Sequence, residues 1–431
     1  MKLLSDKTQN SIQAKMGAFS ENKYIKSVSN GMIFIMTPII VGSLFTLLAN
    51  FPVSAYTDFI NAHGITEILN IPIDFTTNIM AVLAVFAIAY NLAYQFKEDG
   101  VMAGILALIC FFIVTPLSKI KINNVATDFI SFDWLGAKGL FVAILIGLLT
   151  ARVYVFCQKK GFSIKMPDSV PPAVSKSFNA LIPGFVTSIL ALVVASIFKL
   201  TPFGSLDQFI YTLVQTPLQG LSNSYGAMMV VTFAVGFLWF FGLHGSNIVL
   251  QGIMMPLYLS LDMQNMAAYQ AGKPLPNIIG WQFFVCYVIF SGAGVTIGLT
   301  LLMAFRAKSQ QYKMLGRLAL PTAIFNINEP ITFGTPVVLN PVIGPFYILT
   351  PLITATIAYV ATAIGLVPRL SGVQIPWPTP IIFSGILEGS WRIAVLQVVL
   401  VIVSVAIYSI PFKKLEKKAY ETENRGEDTA A

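Results

Sequence analysis

A single carboxylate lies inside a long apolar part of the sequence that also contains helix-breaking residues. Glu329 stands in PTAIFNINEPITFGTPVVLNPVIGP, residues 321–345, where four prolines and two glycines fall between positions 330 and 345. Each proline inside a continuous helix would cost about 3 kcal/mol, so we predict a broken backbone here. At membrane depth, broken backbone and carboxylates are tolerated where they line a buried or wet cavity. The stretch predicts a functional site; the alternative is a proline-rich surface loop.

A second group of polar residues interrupts an apolar helical pattern in FGLHGSNIV, which contains His244. A lone histidine on an apolar face is commonly a hydrogen-bonded core residue. Here, however, Gly245 permits close approach of backbone, and Ser246 and Asn247 offer polar contacts. We therefore predict that this segment contributes to a binding site.

The residues beside Glu329 indicate what such a site would bind. Asn326 and Asn328 precede it in NINEP. Amides donate and accept hydrogen bonds and a carboxylate accepts two hydroxyls, so this set suits a polyhydroxylated ligand such as a sugar. Trp239 and Trp377 are candidates for stacking on a sugar ring. The alternatives are packing or lipid contact for Trp239 and an interfacial anchor for Trp377.

Composition identifies an all-α polytopic membrane protein. The chain has 431 residues, of which 56% are hydrophobic and 11% charged, with a mean hydropathy of +0.75. Soluble domains have about 25% charged residues. Apolar runs near the length that a bilayer requires recur along the chain. We predict ten spans, at residues 30–51, 75–96, 101–117, 135–157, 178–200, 227–243, 248–261, 278–305, 346–366 and 379–411.

The distribution of basic residues predicts the topology. No Lys or Arg lies between Phe51 and Phe96 or between Leu200 and Gly272, so we place those linkers outside. The stretch 321–345 then enters from the cytoplasmic side and returns, and both termini are cytoplasmic. The span 248–261 is short, and one arm of a re-entrant element is the alternative. The basic clusters assigned to the cytoplasm are residues 1–26, 159–176, 306–317 and 413–418.

Several functions find no support in the sequence. The net charge of +8 fits the cytoplasmic loops of a membrane protein better than nucleic-acid binding. Cys110, Cys157 and Cys286 are scattered, and the chain has two histidines, so we expect no metal site and no cofactor. There is no GxxxxGK[ST] motif for ATP. Energy must come from an ion gradient or from a partner protein.

Three motifs in order, PPAVSKSFNALIPG, FGLHGSN and NINEPITFGTPVVLNP, resemble the lactose/cellobiose (diacetylchitobiose) family of phosphotransferase-system sugar permeases, the enzyme IIC component. The similarity covers essentially the whole chain. It implies ten spans with re-entrant hairpins and a homodimer in the bacterial cell membrane. It also implies an N-terminal dimerisation domain, residues 27–205, and a C-terminal substrate domain, residues 206–411, between cytoplasmic segments 1–26 and 412–431.

The resemblance also implies a reaction. The 6-hydroxyl of the bound sugar accepts a phosphoryl group from a phosphocysteine of enzyme IIB, which is charged in turn through IIA, HPr and enzyme I. The family's catalytic glutamate and histidine fall on Glu329 and His244, and its sugar contacts include Asn328, Trp377 and the backbone around Gly245.

Since no phosphorylatable cysteine domain follows, we expect IIB to be a separate chain, which favours a cellobiose- or chitobiose-like β-disaccharide. The rival interpretation is an ion-coupled secondary sugar transporter in which Glu329 is the coupling carboxylate. Broken helices and a single buried acid would fit that mechanism as well.

Overall fold

The computed structural model describes residues 21–428, except residues 52, 123–124, 165, 168–169 and 336. Most of the predicted cytoplasmic segment 1–26, the end of the tail and Pro336 therefore lie outside the described residues. The chain forms two compact units. The first unit comprises Ser20–Leu221 and Gln251–Met263, and the second unit comprises Ser222–Leu250 and Gln264–Ala431.

The first unit is built on helices with one exposed β-hairpin. Small residues on α4 (Met80–Gln95), among them Ala81 and Ala84, are fully buried. They allow it to pack closely against α1 (Lys23–Ala49), α5 (Gly100–Val114) and α7 (Leu140–Lys159). Residues 117–134, predicted as an external connection, contain the antiparallel pair β1–β2, in which Ser118 faces Phe129. The elements are α1 Lys23–Ala49, α2 Ser54–Ala62, α3 Ile65–Asp74, α4 Met80–Gln95, α5 Gly100–Val114, β1 Ser118–Ile122, β2 Val125–Phe129, α6 Phe132–Leu135, α7 Leu140–Lys159, α8 Pro172–Asn179, α9 Leu181–Lys199, α10 Leu206–Ile210, a π-helix Tyr211–Gln215 and α11 Thr216–Ser222.

The second unit holds the broken helices. It begins with α12 Tyr225–Phe240. A π-helix Ser246–Met254 and α13 Met255–Gln270 follow in the chain, and the residues Gln251–Met263 of these two helices belong to the first unit. The remaining elements are α14 Trp281–Phe283, a π-helix Phe284–Val288, α15 Ile297–Arg306, α16 Gln310–Ile324, α17 Glu329–Gly334, α18 Gly344–Ala363, α19 Phe383–Leu387 and α20 Trp391–Asp428.

Six of the described helices are long and apolar enough to cross a membrane, or seven if one bent helix pair counts as a single span. The count of ten predicted spans is therefore not confirmed. Two further helices, α5 and α15, are apolar but short. The six are Lys23–Ala49, Ile65–Gln95, Ala137–Lys159, Val174–Lys199, Gly344–Ala363 and Trp391–Asn424.

The predicted span 278–305 is not one continuous helix. It is divided by a non-helical segment, residues 289–296, between the π-helix and α15. Helix α20 supports this segment: Ser404 donates to the carbonyl of Val295 at 2.6 Å, and Tyr408 donates to that of Gly294 at 2.7 Å. These bonds replace the intrahelical ones that the break removes, as buried backbone requires.

Candidate functional site

The stretch around Glu329 is broken, as the prolines predicted. Helix α16 ends at Ile324, Asn326 adopts a left-handed conformation with φ of 66°, and the short helix α17 begins at Glu329. A non-glycine residue at positive φ is uncommon and asparagine is among the residues that best tolerate it. The carboxylate of Glu329 therefore lies at the first turn of a short helix, directly after a chain reversal.

Glu329 is half-buried, and its Oε2 atom is buried without a hydrogen-bond partner among the described residues. It interacts electrostatically with His244, and no hydrogen bond or ion pair joins the two side chains among the described residues. A buried carboxylate oxygen without a donor is costly in a protein, and such groups call for an explanation. A ligand hydroxyl would supply the missing donor.

The segment containing His244 turns sharply after α12. Gly242 has φ of 79°, and a Cβ at Gly245 would overlap the backbone of Val235, so both positions need glycine. The imidazole of His244 is exposed, and its Nδ1 accepts a hydrogen bond from the Asn247 backbone at 3.2 Å. The neutral ring therefore carries its proton on Nε2, for which no acceptor is found among the described residues.

The ring of Trp239 lies near both His244 and the short helix α17, which begins at Glu329. Its ring lies 4.4 Å from that of His244 and 6.3 Å from that of Phe333, one turn after Glu329 on α17. Trp239 is only 5% exposed. In this conformation it packs behind the histidine and does not present an open face for stacking.

The side chain of Asn326 is buried and joins two other segments. Its Oδ1 accepts from the backbone of Ser291 at 2.6 Å, and its Nδ2 donates to the carbonyls of Trp377 at 2.6 Å and Thr379 at 3.0 Å. All of these partners are backbone groups. Asn326, predicted to contact the sugar, therefore connects three non-helical segments in this structure.

Asn328 makes a similar connection. Its Nδ2 donates to the carbonyl of Ala293 at 2.6 Å and to the hydroxyl of Thr296 at 3.1 Å. A Cβ at Gly292, which has φ of 80°, would overlap the Asn328 amide. The predicted sugar contact thus packs tightly on the break in the helix.

Sequence analysis missed the segment 289–296 as part of the site. Ser291, Gly292, Gly294 and Val295 all have positive φ, between 51° and 82°, and all are buried. The signal was the sequence SGAG, two glycines and a serine inside an otherwise apolar run.

Trp377 lies on a long loop whose preceding residues are buried. Gln282 donates to Gln374 at 3.1 Å, and Ser371 donates to the buried carboxylate of Glu388 at 2.9 Å, which anchors the loop. Trp377 itself is 38% exposed, so part of its ring is available to a ligand. Ser246 and Asn247 follow His244 closely in the chain. Ser246 is half-buried and Asn247 is exposed.

Comparison with known proteins agrees with this architecture. Residues 29–355 match the family model described as phosphotransferase system, EIIC. The chain is 39% identical to the lichenan permease IIC component of Bacillus subtilis, over 95% of this chain and 92% of that protein. It is 37% identical to the cellobiose-specific EIIC component of Geobacillus stearothermophilus, over 96% and 94% of the two chains.

Among solved structures, the chain superposes with a TM-score of 0.92 on ChbC, the IIC component of an N,N'-diacetylchitobiose-specific phosphotransferase system. The two are 36% identical, and the match covers 96% of this chain and 99% of ChbC. The fold and the match define a multi-pass membrane permease component of a sugar phosphotransferase system. The chain belongs to the phosphotransferase system EIIC family, whose members take part in coupled transport and phosphorylation without being catalytic by themselves.

Proposed function

We propose that this permease imports a β-linked disaccharide of the cellobiose type and presents its 6-hydroxyl to the phosphocysteine of a separate enzyme IIB. The observation that carries the proposal is the buried, unpartnered Oε2 of Glu329, whose carboxylate interacts electrostatically with His244. The names of the relatives, cellobiose-specific EIIC and diacetylchitobiose-specific ChbC, support a disaccharide as the ligand.

The residues divide the reaction between them. Glu329 accepts the proton of the sugar 6-hydroxyl as that oxygen attacks phosphorus, a new O–P bond forms, the S–P bond of the phosphocysteine breaks, and the cysteine leaves as a thiolate. His244 donates from Nε2 to the reacting oxygen or to the phosphoryl group and reduces the repulsion between negative charges. A backbone amide on Nδ1 keeps the ring in this tautomer.

The remaining predicted residues either contact the sugar or position the backbone of the site. Trp377 stacks on the sugar from its exposed side, while Ser246, Asn247 and the backbone at Gly245 supply polar contacts. We assign Asn326 and Asn328 mainly to positioning, because their amides are bonded to protein carbonyls.

We also propose a homodimer formed through the N-terminal membrane domain, residues 27–205, with both termini in the cytoplasm. The basic clusters 306–317 and 413–418 support this orientation through the positive-inside rule. The substrate domain is then the C-terminal one, residues 206–411, which contains His244 and Glu329.

The test uses the protein in vesicles with radiolabelled cellobiose outside and purified IIB inside. We expect cellobiose phosphate to accumulate inside only when IIB is phosphorylated. Free cellobiose accumulating under a proton gradient, with no need for IIB, would instead establish the rival ion-coupled transporter. A vesicle preparation without the permease is the control for leakage.

A further inference from the structure

The end of helix α20 holds the beginning of helix α16. The carboxylate of Glu416 accepts from the backbone of Lys308 at 2.7 Å and of Ser309 at 3.3 Å. Glu423 accepts from the Ser309 hydroxyl at 2.7 Å and from the backbones of Gln310 and Gln311, both at 3.0 Å. Two carboxylates thus satisfy amide groups that a helix start leaves without partners.

This arrangement engages two of the local carboxylates, while the local cations are exposed except for Lys313, which is half-buried. Among the described residues, the only carboxylate within ion-pair distance of these cations is Glu421, 3.9 Å from Lys417, and both side chains are more than half exposed. Such an exposed pair is weak and screened by salt. We call the following set the basic surface: Arg306, Lys308, Lys313, Arg317, Lys413, Lys414, Lys417 and Lys418.

We propose that the basic surface is the docking site for phosphorylated IIB, and that it binds an acidic face of that protein. This inference rests on the proposed function. Facing charges of opposite sign guide two proteins into register and raise their association rate, while the phosphoryl group itself reaches the sugar at the other end of α16.

The distance to the site is compatible with this partner. Helix α16 runs from the basic surface to Asn326 and Glu329, and its 15 residues correspond to about 22 Å. A domain of about 100 residues has a radius of gyration of about 13 Å, so one docked domain spans that distance. A partner held at the start of α16 can therefore reach the sugar at its end.

Anionic lipid headgroups are the competing occupant of basic residues near a membrane. The length of α20 favours a protein. The helix has 38 residues and starts at Trp391, an aromatic suited to the interface. A hydrocarbon core of about 30 Å takes about 20 residues, so Lys417 and Lys418 stand about 10 Å beyond it, at or past the headgroups.

The test is the double charge reversal Lys417→Glu/Lys418→Glu, in nanodiscs of phosphatidylcholine without anionic lipid. We expect the Kd for phosphorylated IIB and its KM in sugar phosphorylation to rise at least tenfold, while the Kd for cellobiose stays unchanged and shows that the site is folded. Increasing salt should weaken the wild-type complex more than that of the variant. Lys417→Gln/Lys418→Gln should give an intermediate effect.

The control is Lys273→Glu, which makes one such charge reversal at an exposed lysine of the second unit outside the basic surface. Unchanged IIB affinity in the double variant, with transfer to cellobiose intact, would overturn the docking site and leave these lysines to lipid. Absence of transfer by the wild type, with cellobiose still bound, would instead overturn the proposed function and this inference together.

Discussion

The side-chain amide of Asn326 donates to the backbone carbonyl of Trp377 at 2.6 Å, so the residue three positions before Glu329 also holds the loop of the candidate stacking tryptophan. The same side chain accepts from Ser291 in the broken helix. One buried amide therefore fixes the relative position of the carboxylate, the tryptophan and the helix break. A site assembled in this way is rigid because three backbone segments share one set of hydrogen bonds.

Replacing Asn326 with aspartate tests that connection. Asn326→Asp keeps an acceptor for Ser291 but places a carboxylate oxygen against the carbonyls of Trp377 and Thr379, which removes two hydrogen bonds worth about 1 kcal/mol each and adds repulsion. We expect the Kd for cellobiose, measured by calorimetry, to rise at least tenfold. Asn340→Asp is the control, because Asn340 lies in the same proline-rich stretch and its side chain only accepts from Val342. Equal affinities for both variants would contradict the connecting role.

Glu329→Gln tests the proton acceptor. The amide keeps the shape of the side chain but takes no proton, and a general base contributes about 100- to 10,000-fold to rate. We expect the rate of cellobiose phosphorylation by phosphorylated IIB to fall by at least 100-fold, while the Kd for cellobiose changes by less than tenfold. Phosphorylation at the wild-type rate would exclude the general-base role.

His244→Ala tests the second partner. The change removes the Nε2 donor and the ring that packs on Trp239 at 4.4 Å. We expect weaker cellobiose binding together with slower phosphorylation, both measured as for Glu329→Gln. His63→Ala is the matched control, since His63 lies in the first unit, where it packs on Phe59 and is exposed. If His244→Ala binds and turns over as well as the control, His244 only packs in the fold.

The sequence indicates two catalytic candidates, whose roles remain predictions, but it does not indicate the contacts around them. Glu329 and His244 stood out because a charged or titratable side chain in apolar sequence is expensive, and prolines predicted the break beside Glu329. The break at residues 289–296 contains no proline. Its SGAG sequence indicates irregular backbone, but its left-handed Ser291 and Val295 are held by Asn326 and Ser404, residues distant in sequence. The pattern alone therefore could not show that this segment packs against the site.

The asparagines show the same limit. Amides next to a carboxylate indicate hydrogen bonding to something, but their position in sequence cannot distinguish a sugar hydroxyl from a backbone carbonyl. In the fold, Asn326 and Asn328 each donate to a carbonyl of another segment at 2.6 Å. Tertiary contacts therefore determine whether a polar residue of the site binds the ligand or holds the backbone.

An ion pair in the first unit gives a prediction about pH. Asp99, between α4 and α5, accepts from the Met102 backbone at 3.1 Å as the cap of α5 and lies 2.8 Å from the ammonium of Lys176 on α8. Burial raises the pKa of its carboxyl, but the hydrogen bonds from Lys176 and Met102 outweigh burial and hold the pKa below its ordinary value of 3.8. Because the pKa is lowered on folding, the stabilisation is present at neutral pH and is lost as the pH falls below about 4.

Asp99→Asn keeps an acceptor for the cap and removes the charge, so it isolates the ion pair from the capping bond. We expect the variant to melt about 2 °C below the wild type at pH 7, since a partly exposed pair contributes up to about 1 kcal/mol, and this difference to shrink as the pH falls below about 4. Thermal unfolding, monitored by intrinsic fluorescence between pH 3 and pH 8, measures the melting temperatures of the variant and the wild type. Lys138→Gln, which breaks the more exposed pair with Asp133, should lower the melting temperature less. A difference between Asp99→Asn and wild type that persists unchanged at pH 3 would show that Asp99 acts through the cap and not through its charge.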